Sequence, residues 1–325
     1  MLIRIAENLY WTGRYIKRSA YLAKYLRVQY FSTLDASMSQ NLEFTLRSIL
    51  NMNGMQYESE DALDHYEVIT KVAFDPDEPA SIFSTVFAAR ENTRSLRHLL
   101  SSEMFESVNK LYLFTKDFDQ EYYRQRGLFE FTTKIEEYVK IIRSDMQTTI
   151  LREDEYNFLM MGVWIENCNQ ILRILKSKLI DTDILSDNGE NIPVMQYQWT
   201  ITLKTLESFD MHNRYYQNQT TIKSVVEFII SNGKYPRSFY YNLSHLLITI
   251  NKIGIIPEGL SKLKHEVAKL ESKARFFEYE GNSELHDFLD KSIQSIGAIH
   301  DICNSLYFDS RSYKGEGDTQ SQSQK

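Results

Sequence analysis

Residues 9–26, LYWTGRYIKRSAYLAKYL, and residues 158–175, FLMMGVWIENCNQILRIL, decide the fold of this 325-residue chain. Laid over one another, they set Gly13 on Gly162, Tyr15 on Trp164, Ile16 on Ile165, Leu22 on Ile171 and Leu26 on Leu175, an offset of 162 − 13 = 149 residues. In the first copy Leu2, Ile5, Leu9, Ile16, Ala20 and Ala23 recur at helical spacing, and Gly13 completes the seam where a neighbouring helix can approach closely. This spacing predicts a helix over about residues 2–31. A second correspondence, EPASIF around Pro79 with YPRSFY around Pro236, follows in the same order at 236 − 79 = 157. Amphipathic helices can resemble one another by chance, but two ordered matches at similar offsets favour an internal duplication. The expected halves are 1–152 and 153–309, followed by a tail over 310–325.

Composition agrees with a helical reading. There are 12 glycines and 5 prolines, about 5% of the chain, against a usual share of about 12% for the two together. Sheet proteins spend these residues on hairpins and corners, so their scarcity favours long helices with short connections. The expected architecture is an all-α multi-helix bundle, with more than about 65% helix.

Asp35 is the expected N-cap of a second helix ending near Asn53-Gly54, and a third runs from about Asp61 to Phe74, where DPDEP stops it. Further helices are expected near 79–100, 102–116, 119–126, 128–151 and 154–179. After a loop from Asp181 to Pro193 containing Asn188-Gly189, others follow near 194–214, 218–231, 237–253, 257–279 and 283–308. Pro236 and Pro257 are expected in first helical turns, where a missing amide has no intrahelical partner. The closing GEGDTQSQSQK has no apolar anchor and is expected to be disordered.

A net charge of −7 argues against a general nucleic-acid binder, which would carry a basic face or stripe. Arg4, Glu7 and Arg14 interrupt the N-terminus before a signal-peptide stretch accumulates, and no segment reaches the roughly 18 apolar residues of a membrane span. A cytoplasmic protein is therefore expected. Cys168 and Cys303 form no CxxC pair, which suits a reducing compartment. His265-Glu266 is followed by Lys269 where HExxH needs histidine, and neither a GxxxxGK(S/T) phosphate loop nor a GxSxG elbow occurs. No metal and no cofactor is expected.

The candidate site is a polar cluster in aromatic surroundings. Steps of seven and four residues place Glu7, Arg14 and Arg18 on one face of the first helix, bordered by Trp11 and Tyr25, with Asn8 beside them. Lys17 and Lys24 mark a separate strip suited to solvent. Arg90, Glu91 and Arg94 share a broad polar face with Arg97 and His98, and Glu166, Asn169 and Arg173 repeat the theme in the second half. Arg237 supplies another guanidinium after Pro236. Three readings stand beside one another: solvated faces, a buried ion network, and a pocket for an anion. In the network reading Arg90, Glu91 and Arg94 point inward and meet the first helix.

ENLYWTGRY, ARENTRSLR with Glu103 and Asn109 following, FLMMGVWIEN and YPRSFYYNL together resemble the bacterial Alpha-E family from Met1 to about Asp309. The resemblance implies an α-helical domain with a Glu-Arg motif, expected where this chain has Lys17-Arg18 and again where it has Glu166-Asn167. Each copy keeps one member of the pair. It also implies encoding beside circularly permuted ATP-grasp and transglutaminase-like proteins, hence a non-catalytic partner or substrate-presenting subunit of a peptide amide-forming system. The alternatives are an acid–base enzyme using Glu91 or Glu166 and a purely structural adaptor. Because equivalent positions approach one another across a pseudo-twofold axis, Arg18 and Glu166 can complete a single ion pair. Independent drift at two exposed sites is the simpler competing account.

Overall fold

The computed structural model describes residues 3–32, 42–55, 63–118, 127–189 and 192–309. Over these the chain is 80% helical, with 13 helices and no strand. The first half contributes α1 (Ile3–Ser32), α2 (Leu42–Asn53), α3 (His65–Ala73), α4 (Ile82–Ser95), α5 (Ser102–Asp117) and α6 (Leu128–Thr148). The second contributes α7 (Asp154–Asp187), α8 (Ile192–Thr205), α9 (Phe209–Tyr216), α10 (Ile222–Ser231), α11 (Phe239–Lys252), α12 (Leu260–Arg275) and α13 (Asn282–Cys303). A π-helical turn, Asn304–Phe308, ends the described chain.

The two longest helices, α1 and α7, form the axis. They run parallel, because contacts climb both together: Gly13 lies against Leu159, Arg18 on Glu166, Tyr25 on Ser177 and Gln29 on Lys178. Close approach depends on glycine. A Cβ at Gly13 would lie 2.1 Å from the carbonyl oxygen of Leu159, and one at Gly162 would lie 2.0 Å from that of Tyr10. These clashes are reciprocal, since 159 − 10 and 162 − 13 both equal 149. Leu9, Ile16, Leu26, Phe158, Ile165, Leu172 and Leu175 are all buried in the core around this seam.

Helix α4 packs on α1 as α11 packs on α7, and the turns leading into α4 and α11 repeat the same bonds. Ser81 caps α4 by accepting from Ser84 N at 3.0 Å, while donating to the carbonyl of Asp75 at 2.6 Å. Ser238 caps α11 by accepting from Tyr241 N at 3.0 Å, while donating to the carbonyl of Asn232 at 2.5 Å. Asp75 and Asn232 each accept a backbone amide two residues on, from Asp77 and Lys234, at 2.9 Å. Every pair is separated by 157 residues, as in 238 − 81.

Several expected boundaries shift. Helix α7 runs through the expected loop as far as Asp187, because Asp181 is buried and paired with Lys178 at 2.6 Å, and Thr182 and Leu185 are buried beyond it. The helix expected near 79–100 begins at Ile82 and passes into turns after Ser95. The 194–214 helix breaks in two at Glu207, whose φ is +53°. Pro236 and Pro257 each precede an N-cap by two residues, so both lie in entry turns outside the helices. Asp35, residues 119–126 and the 310–325 tail lie outside the described residues, as does Leu2.

Candidate functional site

The α1–α7 seam places one carboxylate against two guanidiniums. Glu166 is fully buried; its Oε2 accepts from Arg14 Nε at 2.8 Å, and its Oε1 accepts from Arg18 Nε at 2.7 Å. Arg18 Nη2 reaches Oε2 at 3.1 Å, and Gln170, one turn along α7, donates to Oε1 at 2.7 Å. Burial alone would raise this carboxyl's pKa, but Arg18 and Arg14 overcome that cost and hold it well below the ordinary carboxylate range. Arg14 stays cationic for the same reason: burial opposes its charge most, but Glu166 and Tyr10 together, with their hydrogen bonds, outweigh it.

The network extends towards the C-terminal helix. Arg14 Nη1 donates to the Tyr10 hydroxyl at 3.3 Å, and that hydroxyl lies 2.8 Å from His300 Nδ1. Trp11 covers Arg14, with the guanidinium carbon 4.7 Å from its ring centroid, a favourable cation–π placement. Burial, followed by the charge of Arg14, lowers the His300 pKa, while burial raises that of Tyr10. Arg173 lies near the same node, and its Nη1 donates to the carbonyl of Asn53 at 3.4 Å. Burial and then the positive charge of Arg18 lower its pKa.

The expected cluster divides into separate groups. Arg14, Arg18, Trp11 and Glu166 meet. Asn8 instead donates to Ser95 on α4 at 2.9 Å, and Glu7 is half-buried outside the network's hydrogen bonds. Arg90, Glu91 and Arg94 do not turn towards α1. Arg90 pairs with Glu91, packs over Tyr112 and donates to Asn109 of α5, while Arg94 reaches Glu91 at 3.4 Å. Their side chains are 24%, 38% and 61% exposed, so water and neighbours on the same surface satisfy them. Arg237 pairs with Glu207 in a different cleft. Lys17 and Lys24, read from sequence as solvent-facing, line that cleft too.

Tyr10 and His300 were missed because only the fold brings residues 290 apart into contact. Gln170 had a signal: it lies four residues after Glu166, on the same helix face. Among the described residues no group of three or more His, Cys, Asp or Glu side chains is placed to hold a metal ion. Both cysteines are free and buried. No helix among the described residues is long and apolar enough to cross a membrane.

Fold and site thus define an all-helical protein whose two longest helices are joined by one carboxylate and two arginines. The chain belongs to the Alpha-E family, described as a predicted alpha-helical domain with a conserved ER motif, whose model matches residues 1–308. No curated protein and no solved structure matches the chain.

Proposed function

We propose that this chain is a non-catalytic partner or substrate-presenting subunit of a bacterial, cytoplasmic peptide-processing system, working beside an ATP-grasp amide ligase and a transglutaminase-like protein. The supporting observation is the state of Glu166. A proton carrier must exchange its proton near the working pH and reach a substrate. Glu166 is fully buried, accepts from two arginines and Gln170, and is held in its ionised form. Its chemistry is therefore spent on joining α1 to α7. Glu91, the other candidate carrier, sits between Arg90 and Arg94 at the surface.

The partner classes come from the family resemblance, and the chain is read with them as one unit of two repeats, 1–152 and 153–309. The recurring cap bonds and the reciprocal Gly13 and Gly162 contacts support that reading of the repeats. A purely structural adaptor is the second reading, favoured by the sealed position of Glu166. Affinity purification of the tagged full chain from its native cell, followed by mass spectrometry, tests the proposal. An ATP-grasp protein should be enriched over an untagged control. Enrichment of neither partner class contradicts the proposed association.

A further inference from the structure

A second constellation lies in a cleft with about 50 Å³ of open space between α1, α6, the α8–α9 turn and the segment entering α11. Its walls carry five cations, Lys17, Lys24, Lys140, Arg143 and Arg237, and two carboxylates, Glu136 and Glu207. The carboxylates already have partners. Glu136 forms an ion pair with Arg27 at 2.6 Å and lies 3.6 Å from Lys24; Glu207 pairs with Arg237 and also lies 3.6 Å from Lys24. Among the described residues, Lys17, Lys140 and Arg143 have no carboxylate within ion-pair distance.

A phenol also lines the cleft. Tyr21 lines it and is only 4% exposed, which brings its hydroxyl to the cleft as a donor beside Lys17 and Arg237. The lining has a formal charge of 5 − 2 = +3, within a chain whose net charge is −7. Such a concentration of like charge is unfavourable unless an anion or solvent offsets it. Glu207, which fixes Arg237, is also held in the left-handed region at φ +53°, where a side chain is strained.

We propose that this cleft binds a phosphate group, either free phosphate or the phosphoryl end of a larger ligand whose remainder projects into solvent. Lys17, Tyr21 and Arg237 are the inner donors, and exposed Lys140 and Arg143 guard the mouth. A single carboxylate brings one charge in a planar group. A phosphate ester brings about −1.5 to −2 near neutral pH and three acceptor oxygens, a better match to cations arriving from several elements.

Lys17 supplies a proton-linked signature. Burial, then Arg237 and Arg143, hold its pKa down to about 7, against a smaller opposing pull from Glu207. Lys24 and Tyr21 on its own helix, and Glu136 and Lys140 on α6, complete the titratable and charged surroundings. A bound anion favours the ammonium form, so binding at pH 8 takes up a proton. The site does not depend on which protein accompanies the chain.

Isothermal titration of the full chain at constant ionic strength tests the proposal, with inorganic phosphate, glycerol phosphate and citrate as probes. Saturable binding is expected for a phosphate probe, at least about tenfold tighter than for citrate; whichever phosphate form is tighter identifies the source. The measured enthalpy should differ between Tris and HEPES at pH 8, and Lys17→Met should remove that difference. Exchanging both mouth cations, Lys140→Ala with Arg143→Ala, should weaken binding about tenfold while leaving the melting temperature near that of the parent. These two residues are exposed, so this variant decides the matter even if Lys17→Met does not fold. Absence of saturable phosphate binding, equal or tighter binding of citrate, or unchanged binding in the Lys140/Arg143 variant overturns the proposal.

Discussion

Glu166 and Lys17 occupy matching places on the two axial helices, each four residues after the glycine at the crossing, yet their surroundings are opposite. Around Glu166 two guanidiniums and an amide close over a carboxylate and exclude water. Around Lys17 the cations outnumber the carboxylates and a cleft stays open. The same backbone position can therefore serve as a clasp or as a receptor, according to the sign of one side chain. A carboxylate attracts the arginines of the facing helix into a closed pair, whereas an ammonium repels its cationic neighbours and leaves room between them.

The largest expected effect concerns the crossing that makes both places possible. Gly162→Ala puts a Cβ against the Tyr10 carbonyl, a backbone atom that cannot swing aside. The variant should lose more than about 4 kcal/mol in denaturant unfolding or fail to fold. An ordinary loss near 1 kcal/mol would show that α1 and α7 separate cheaply and that the crossing does not fix either region.

The next prediction removes the charge that distinguishes the clasp. Glu166→Gln leaves Arg14 buried without its counter-charge and should cost about 3–5 kcal/mol, with Arg18 contributing less because its side chain is 21% exposed. The same group predicts acid sensitivity. Because its folded pKa is depressed, its stabilisation is present above the unfolded carboxylate range near about 4.3 and is lost as pH falls towards the lower folded value. Chemical denaturation across that window should show a shallower loss for Glu166→Gln; an identical acid profile contradicts this assignment.

Lys17 carries the opposite sign. Its folded pKa, about 7, lies below the unfolded value near 10.4, so the unfolded chain binds more protons between them. Stability from this group rises with pH through that window. Lys17→Met should flatten the rise measured between pH 7 and pH 9. An unaltered slope would mean that Lys17 titrates as an ordinary surface lysine.

The smallest expected change belongs to the surface triad. Glu91→Ala should alter unfolding free energy by less than about 1 kcal/mol, because Arg90 and Arg94 remain hydrated when their partner is removed. A loss of about 3 kcal/mol would restore the inward-facing network read from the sequence.

Local periodicity made the helices and the glycine seam legible, because apolar spacing and a missing Cβ act within a few turns of chain. The Arg18–Glu166 contact was legible as one of two readings, since parallel helices bring the neighbourhoods of matching positions together, and independent drift was the simpler one. What stayed hidden depended on distant parts of the fold. His300 reaches Tyr10 only because α13 packs beside the axis, and Asp181 stays helical only because Lys178 neutralises it in the interior. Lys17 and Lys24 looked solvent-facing on α1 alone; α6 and the α8–α9 turn convert that strip into a cleft wall. Arg90 and Arg94 carried the same helix-face signal as Arg14 and Arg18, but spacing does not report which side of a helix meets water.

Glu166 joins α1 to α7 through Arg18 as well as Arg14. A double-mutant cycle on Arg18→Ala and Glu166→Ala, read by equilibrium denaturation, tests it directly. The paired loss should be smaller than the sum of the single losses by about 1–3 kcal/mol. Strictly additive losses would contradict it, showing that each residue serves its own helix and that the two are not energetically joined.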